Sequence, residues 1–69
     1  MNNTITIHLN GEKRRVSPDS LEKLLADLGL RAKHLAIALN DTIVPKSRRD
    51  AVMLNEGDRV EIIRATAGG

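Results

Sequence analysis

The run Ile5-Thr6-Ile7-His8-Leu9-Asn10-Gly11-Glu12-Lys13-Arg14-Arg15-Val16 alternates apolar and polar residues, turns, and returns as a charged segment. Period-two alternation with β-branched residues reads as a half-buried strand. Asn-Gly tolerates positive φ at both central positions of a type I′ turn, so it predicts a tight hairpin. The return strand, Glu12 to Val16, is mostly charged, as expected near a solvated sheet edge.

Downstream, Ser20 reads as a helix N-cap. Leu21, Leu24, Leu25 and Leu28 then fall at i, i+3, i+4 and i+7, one apolar stripe. Gly29 sits where a C′ glycine ends the helix, with Leu30 packing back on the last turn. So short a helix needs a sheet to hold it. Leu35 to Leu39 reads as an interior strand, and Thr42-Ile43-Val44 as a short one ended by Pro45, which lacks the ladder donor. Lys46 to Asp50 reads as a polar connection and Ala51 to Leu54 as a short apolar stretch of open type. After the Glu56-Gly57-Asp58 turn, Arg59 to Ala65 reads as the last strand, with Val60 and Ile62 on one face. One helix can cover such a sheet only if the sheet curls around it. The expected fold is therefore an α+β roll of the β-grasp type, a mixed sheet of four to five strands over one main helix. Residues 1–65 form the expected domain and 66–69 a flexible tail ending in Gly68-Gly69.

The 69 residues suit one domain, and with no Phe, Tyr or Trp its core must be aliphatic. The absence of cysteine excludes disulfides, thiolate metal sites and thiol catalysis. His8 and His34 are too few for a metal site; His8 falls on the polar side of the first strand and His34 in a loop. No apolar run spans a bilayer and the N-terminus shows no signal pattern, so the expected location is the cytoplasm. A net charge of +2 with interspersed signs and no aromatic argues weakly for nucleic acid. No Walker-type glycine loop is present, so the chain has no nucleotide site of its own.

Asn10-Gly11-Glu12, Ser20-Leu21, Leu24-Leu25, Ala36-Ile37-Ala38-Leu39-Asn40, Ile43-Val44-Pro45, Glu56-Gly57-Asp58 and Ala67-Gly68-Gly69 occur in an order and spacing that matter more than any one piece. In these the chain resembles the ubiquitin-like sulfur carriers of the ThiS/MoaD family, on its thiamin-biosynthesis side, over essentially its whole length. Members often carry Arg where this chain has Lys46, and an aromatic residue where it has Arg49. The segment before the tail, often Val-rich in the family, here reads Arg64-Ala65-Thr66.

The resemblance implies a protein co-substrate rather than an enzyme. A ThiF-like adenylating enzyme, using its own ATP and Mg²⁺, would convert the Gly69 carboxylate to an acyl-adenylate. A sulfur donor of the cysteine desulfurase type would then lead to a thiocarboxylate, consumed by a ThiG-like thiazole synthase. Gly69 would be the reactive terminus, and Thr66, Ala67 and Gly68 would thread into the partner. Fully extended, these four residues reach roughly 13–14 Å. Lys46, Arg48 and Arg49, with Val60, Ile62 or Ile63 and Arg64, are the candidate docking residues, a solvated loop being the plainer reading of the basic run. The free carrier is expected to be a monomer. The rival readings are the small subunit of molybdopterin synthase, a ubiquitin-like protein modifier, and an inert β-grasp interaction module.

Overall fold

A computed structural model of the protein describes residues 3–30 and 35–64. The turn of the first hairpin takes the backbone its sequence requires: Asn10 has φ 50° and Gly11 φ 85°. Around it β1 (Ile5–Leu9) and β2 (Glu12–Val16) pair antiparallel, with Ile5 opposite Val16 and Leu9 opposite Glu12. Helix α1 (Leu21–Asp27) begins where the Ser20 hydroxyl accepts from Lys23 N–H at 3.1 Å. It ends in a Schellman motif: Gly29 N–H donates to Ala26 O and Leu30 N–H to Leu25 O, with Gly29 at φ 72°. On its exposed face Lys23 donates to Asp27 at 2.7 Å, and this hydrogen bond, with the carboxylate's charge, raises the Lys23 ammonium above its usual pKa.

Strands β3 (Leu35–Leu39), β4 (Thr42–Ile43) and β5 (Arg59–Arg64) complete a five-stranded sheet of order β2-β1-β5-β3-β4. Strand β5 is central: it runs parallel to β1 and antiparallel to β3. The sheet wraps one helix in the expected β-grasp arrangement. One local expectation is corrected, one open stretch is settled, and one expectation falls outside the described residues. The short strand stops at Ile43, because Val44 turns inward to be buried while its N–H donates to Ile37 O at 2.8 Å. The stretch from Ala51 to Leu54 is neither strand nor helix; Met53 bridges Ser20 and Leu54 enters the core. Ala65, expected in the last strand, lies outside the described residues.

Ile7, Leu21, Leu25, Ile37 and Val60 are fully buried, with Leu24, Val44 and Leu54 packed among them. Each such side chain contributes about 1.5–3 kcal/mol through removal from water, and with no aromatic residue the core depends on their number.

Two asparagines in left-handed conformation tie β5 in place. Asn40, at φ 51°, accepts from Arg59 N–H at 2.9 Å and donates to Asp58 Oδ1 at 3.0 Å. Asp58, 9% exposed, uses its other oxygen to accept from Asn55 N–H. Asn40→Ala removes both bonds and places a Cβ without compensation in the left-handed region. It should cost about 2–3 kcal/mol, read as a lower urea midpoint at unchanged slope. A midpoint equal to that of the parent would contradict this account.

Candidate functional site

The tail identified in the sequence continues from β5, so the site is best built outward from that strand. Along β5, successive side chains alternate between faces. Val60 lies opposite Leu9 and Leu39, and Ile62 opposite Ile37, all on the helix-covered face. Arg59, Glu61 and Ile63 lie on the other, outer face. There Ile63 pairs with Ala36, Glu61 with Ala38, and Ala38 in turn with Ile43 of β4. Ile63 is 52% exposed and Ile43 59%. Two isoleucines thus flank a floor of two alanines, an open apolar patch crossing β4, β3 and β5. Charge lies beside it: Glu61 within the face, and Arg59 paired with Asp41 at 2.8 Å. Both partners of that pair are exposed, so it contributes little to stability.

The structure corrects part of the expected docking surface. Val60 is fully buried, because its register places it between Leu9 and Leu39 on the core face. Ile62 is half-buried on that same face. Of the three apolar candidates in β5, Ile63 is the one that faces solvent. Arg49 is only 3% exposed and is likewise removed from the docking surface. Lys46 and Arg48 are exposed, on a short 3₁₀ turn (Lys46–Arg48) that follows β4 and so lies close in the chain to Ile43. The side chain of Arg64, and Thr66, Ala67, Gly68 and Gly69, lie outside the described residues, as does His34. Ile43 was not among the expected docking residues. Its signal was the neighbouring Val44-Pro45: if Val44 turns in, Ile43 must turn out.

Arg49 is buried for a structural reason. Its Nη2 donates to Leu35 O at 2.8 Å. This carbonyl faces the β4 side of β3, where Ile37 O is already taken by Val44 N–H. The arginine side chain therefore continues the sheet edge beyond the end of β4. Among the described residues Nε and Nη1 of Arg49 have no hydrogen-bond partner. A buried guanidinium with one hydrogen-bonded nitrogen among the described residues is a costly way to fill this position. Arg49→Met should retain the packing of the stem, relieve that cost and raise stability by about 1 kcal/mol. Urea unfolding measures it, and a loss of stability would show that the guanidinium is better satisfied than its contacts indicate.

His8 lies on the outer face between Lys13 and Arg59, half-buried, with Nδ1 unpartnered among the described residues. Among those residues no group of three His, Asp or Glu side chains is arranged to hold a metal ion. No helix among them is long and apolar enough to cross a membrane.

Comparison with known proteins supplies a second line of evidence. The sequence profile of the ThiS family matches residues 7–69. A thiazole synthase of Paramagnetospirillum magneticum is 40% identical over 62 residues, covering 88% of this chain but 19% of that protein. The chain thus spans about a fifth of the length of the thiazole synthases it matches. The uncharacterized protein ycf40 of Porphyra purpurea is 37% identical over 100% of this chain and 99% of its own. Among solved structures, the thiamine biosynthesis protein ThiS of Geobacter metallireducens superposes with a TM-score of 0.83 at 25% identity, over 94% of this chain and 100% of that one.

Proposed function

Because the chain belongs to the ThiS family, we propose that it carries sulfur for construction of the thiazole ring of thiamin, on the carboxylate of Gly69. The observation that carries this reading is the place of β5. The strand that leads to Gly68-Gly69 is the centre of the sheet, and its outer face holds Ile63 in an exposed apolar patch. A partner seated on that patch is within reach of the terminus. The match to about a fifth of a thiazole synthase supports the same reading, since it places a module of this kind within a protein of that name.

In this reading a ThiF-like enzyme docks on Ile43 and Ile63, flanked by Lys46 and Arg48, while Thr66 to Gly69 enter its active site. A Gly69 carboxylate oxygen attacks the α-phosphorus of ATP, and pyrophosphate leaves. The enzyme supplies Mg²⁺ and the cations that hold the phosphates. A persulfide from a donor of the cysteine desulfurase type then attacks the acyl carbon and AMP leaves. A thiol reductant cleaves the resulting sulfur–sulfur bond, so that Gly69 ends as a thiocarboxylate for a ThiG-like thiazole synthase. The carrier contributes a positioned carboxylate and no catalytic group, and acts as a monomer in the cytoplasm. Lacking cysteine, it offers no internal thiol to compete for the sulfur.

The test is the intact mass of the protein after incubation with its adenylating enzyme, ATP, a sulfur donor and reductant. Replacement of one oxygen by sulfur, mapped to Gly69, is the expected result. An unchanged mass would leave an inert module, conjugate ladders on immunoblots a protein modifier, and co-purification with a molybdopterin synthase large subunit the molybdopterin branch.

A further inference from the structure

The ladder between β1 and β5 is short. Only His8 and Leu9 pair with Arg59 and Val60. At the next step β1 has already turned away, because Asn10 is left-handed, yet the ladder continues for one bond through its side chain. Asn10 N–H donates to Val60 O at 2.9 Å, and Asn10 Oδ1 accepts from Ile62 N–H at 2.8 Å. The asparagine thereby stands in for one strand residue. Beyond it, no described residue continues the ladder. In a β-strand the main-chain groups of alternate residues point to the same side, and those of Asp58, just before β5, and of Val60 and Ile62 within it point toward β1. Ile62 C=O and Arg64 N–H lie on that same side. Among the described residues neither has a hydrogen-bond partner.

A pocket of about 490 Å³ opens beside this edge, lined by Leu9, Asn10, Leu28, Leu30 and Ile62. Its apolar walls come from the end of β1, the C-terminal turn of α1 and the inner face of β5. Unused ladder groups beside an apolar pocket are the two elements of strand addition. Main-chain bonds supply affinity, and the pocket receives one side chain of the added strand.

We propose that this edge takes up an extended, apolar segment of the enzyme that activates the terminal carboxylate, a proposal that rests on the carrier reading above. One residue of a strand running parallel to β5 satisfies both groups, donating its N–H to Ile62 O and accepting from Arg64 N–H. Its neighbour's side chain then enters the pocket. The occupant follows from what lies beyond. Residues 65–69 follow Arg64 in the chain and, even fully extended, could reach roughly 16–18 Å at most. The enzyme that receives Gly69 must therefore lie against this end of the sheet. Gly68 and Gly69 have no side chains to grip, so an enzyme holds them by main-chain hydrogen bonds. A strand that pairs with the tail extends onto Arg64 and Ile62 with the same two-residue repeat, setting the register in which the carboxylate arrives.

The test compares Arg64→Pro with Arg64→Ala. Both remove the guanidinium, but only proline removes the N–H at the open edge, and it leaves the ladder to β3 untouched because residue 64 does not donate to that side. In ATP–pyrophosphate exchange, Arg64→Pro should raise the KM for the carrier about tenfold over Arg64→Ala, as expected for loss of one buried main-chain hydrogen bond. Independently, hydrogen exchange of the wild-type Arg64 amide should slow about tenfold when the enzyme is added. Equal KM values for the two variants, with the Arg64 amide unprotected, overturn strand addition while the carrier reading stands. Arg64 protection in the free carrier shows the edge filled by its own tail if independent of concentration, or by a second copy if not. Either overturns the proposal. A wild-type carrier that supports no exchange removes the carrier reading, and strand addition with it.

Discussion

Replacing Gly68 by valine should leave the fold intact and abolish activation of Gly69. The residue lies beyond the last described strand, and the described core is built from Ile7, Leu21, Leu25, Ile37 and Val60. Its substitution should therefore leave the urea midpoint unchanged. The effect on chemistry is of another order. The proposed channel, if shaped for two residues without Cβ, would have no room for an isopropyl group, and β-branching also restricts the angles the stem can adopt. A carboxylate displaced by even 1 Å from in-line attack on the α-phosphorus loses about a hundredfold in rate. Gly68→Val should thus show at least about a hundredfold loss in ATP–pyrophosphate exchange with its adenylating enzyme. Exchange within about threefold of wild type would show a channel wider than the diglycine demands, and would sink the threading argument.

The second large effect is expected at the outer face. Ile43 and Ile63, at 59% and 52% exposure, are among the exposed large apolar side chains and share one face with Ala36 and Ala38 between them. In the proposed docked complex they would be the anchors, and an aspartate at either would be buried without a partner. Ile63→Asp should raise the KM for the carrier by roughly thirtyfold, corresponding to about 2 kcal/mol lost at a central anchor, and Ile43→Asp by a similar factor. Both sites being exposed, thermal stability should change little. Met53 supplies the control: it is 53% exposed but lies beside Ser20 at the start of α1, away from this face. Met53→Asp should leave KM unchanged. A uniform response of all three variants would mean that charge, not the patch, governs docking.

Much of the fold was legible because local rules agree with the global arrangement. Asn10-Gly11 dictates its turn without help from the rest of the chain, and Ser20 and Gly29 bound the helix by hydrogen bonds within a few residues. What faces outward was harder to read. Ile62 and Ile63 are adjacent and both apolar, so alternation alone does not separate them. The pairing of Ile62 with Ile37 and of Ile63 with Ala36 does, and that register is set by residues far away in the chain. Arg49 misled for a different reason. It ends the basic run Lys46-Ser47-Arg48-Arg49, and its charge conceals a long apolar stem able to be buried. Burial of its head depends on Leu35 O, fourteen residues away, which no local pattern reveals. The diglycine was the plainest chemical signal in the sequence, and the described structure contributes the strand that leads to it.

The position of β5 also has a kinetic consequence. The hairpin of β1 and β2 and the pair of β3 and β4 meet only through this strand. Its closure spans most of the chain; the bond from Ile62 to Asn10 alone joins residues 52 apart. Such long-range pairing is slow, because loop entropy is lost before the contacts compensate for it. The local hairpins and α1 should therefore form early, and seating of β5 should complete folding. No intermediate on that route displays the outer patch, since Ile63 joins it only when β5 is in place. If the patch is the docking face proposed above, folding acts as a checkpoint: any molecule that offers it has already aligned the strand that leads to Gly69.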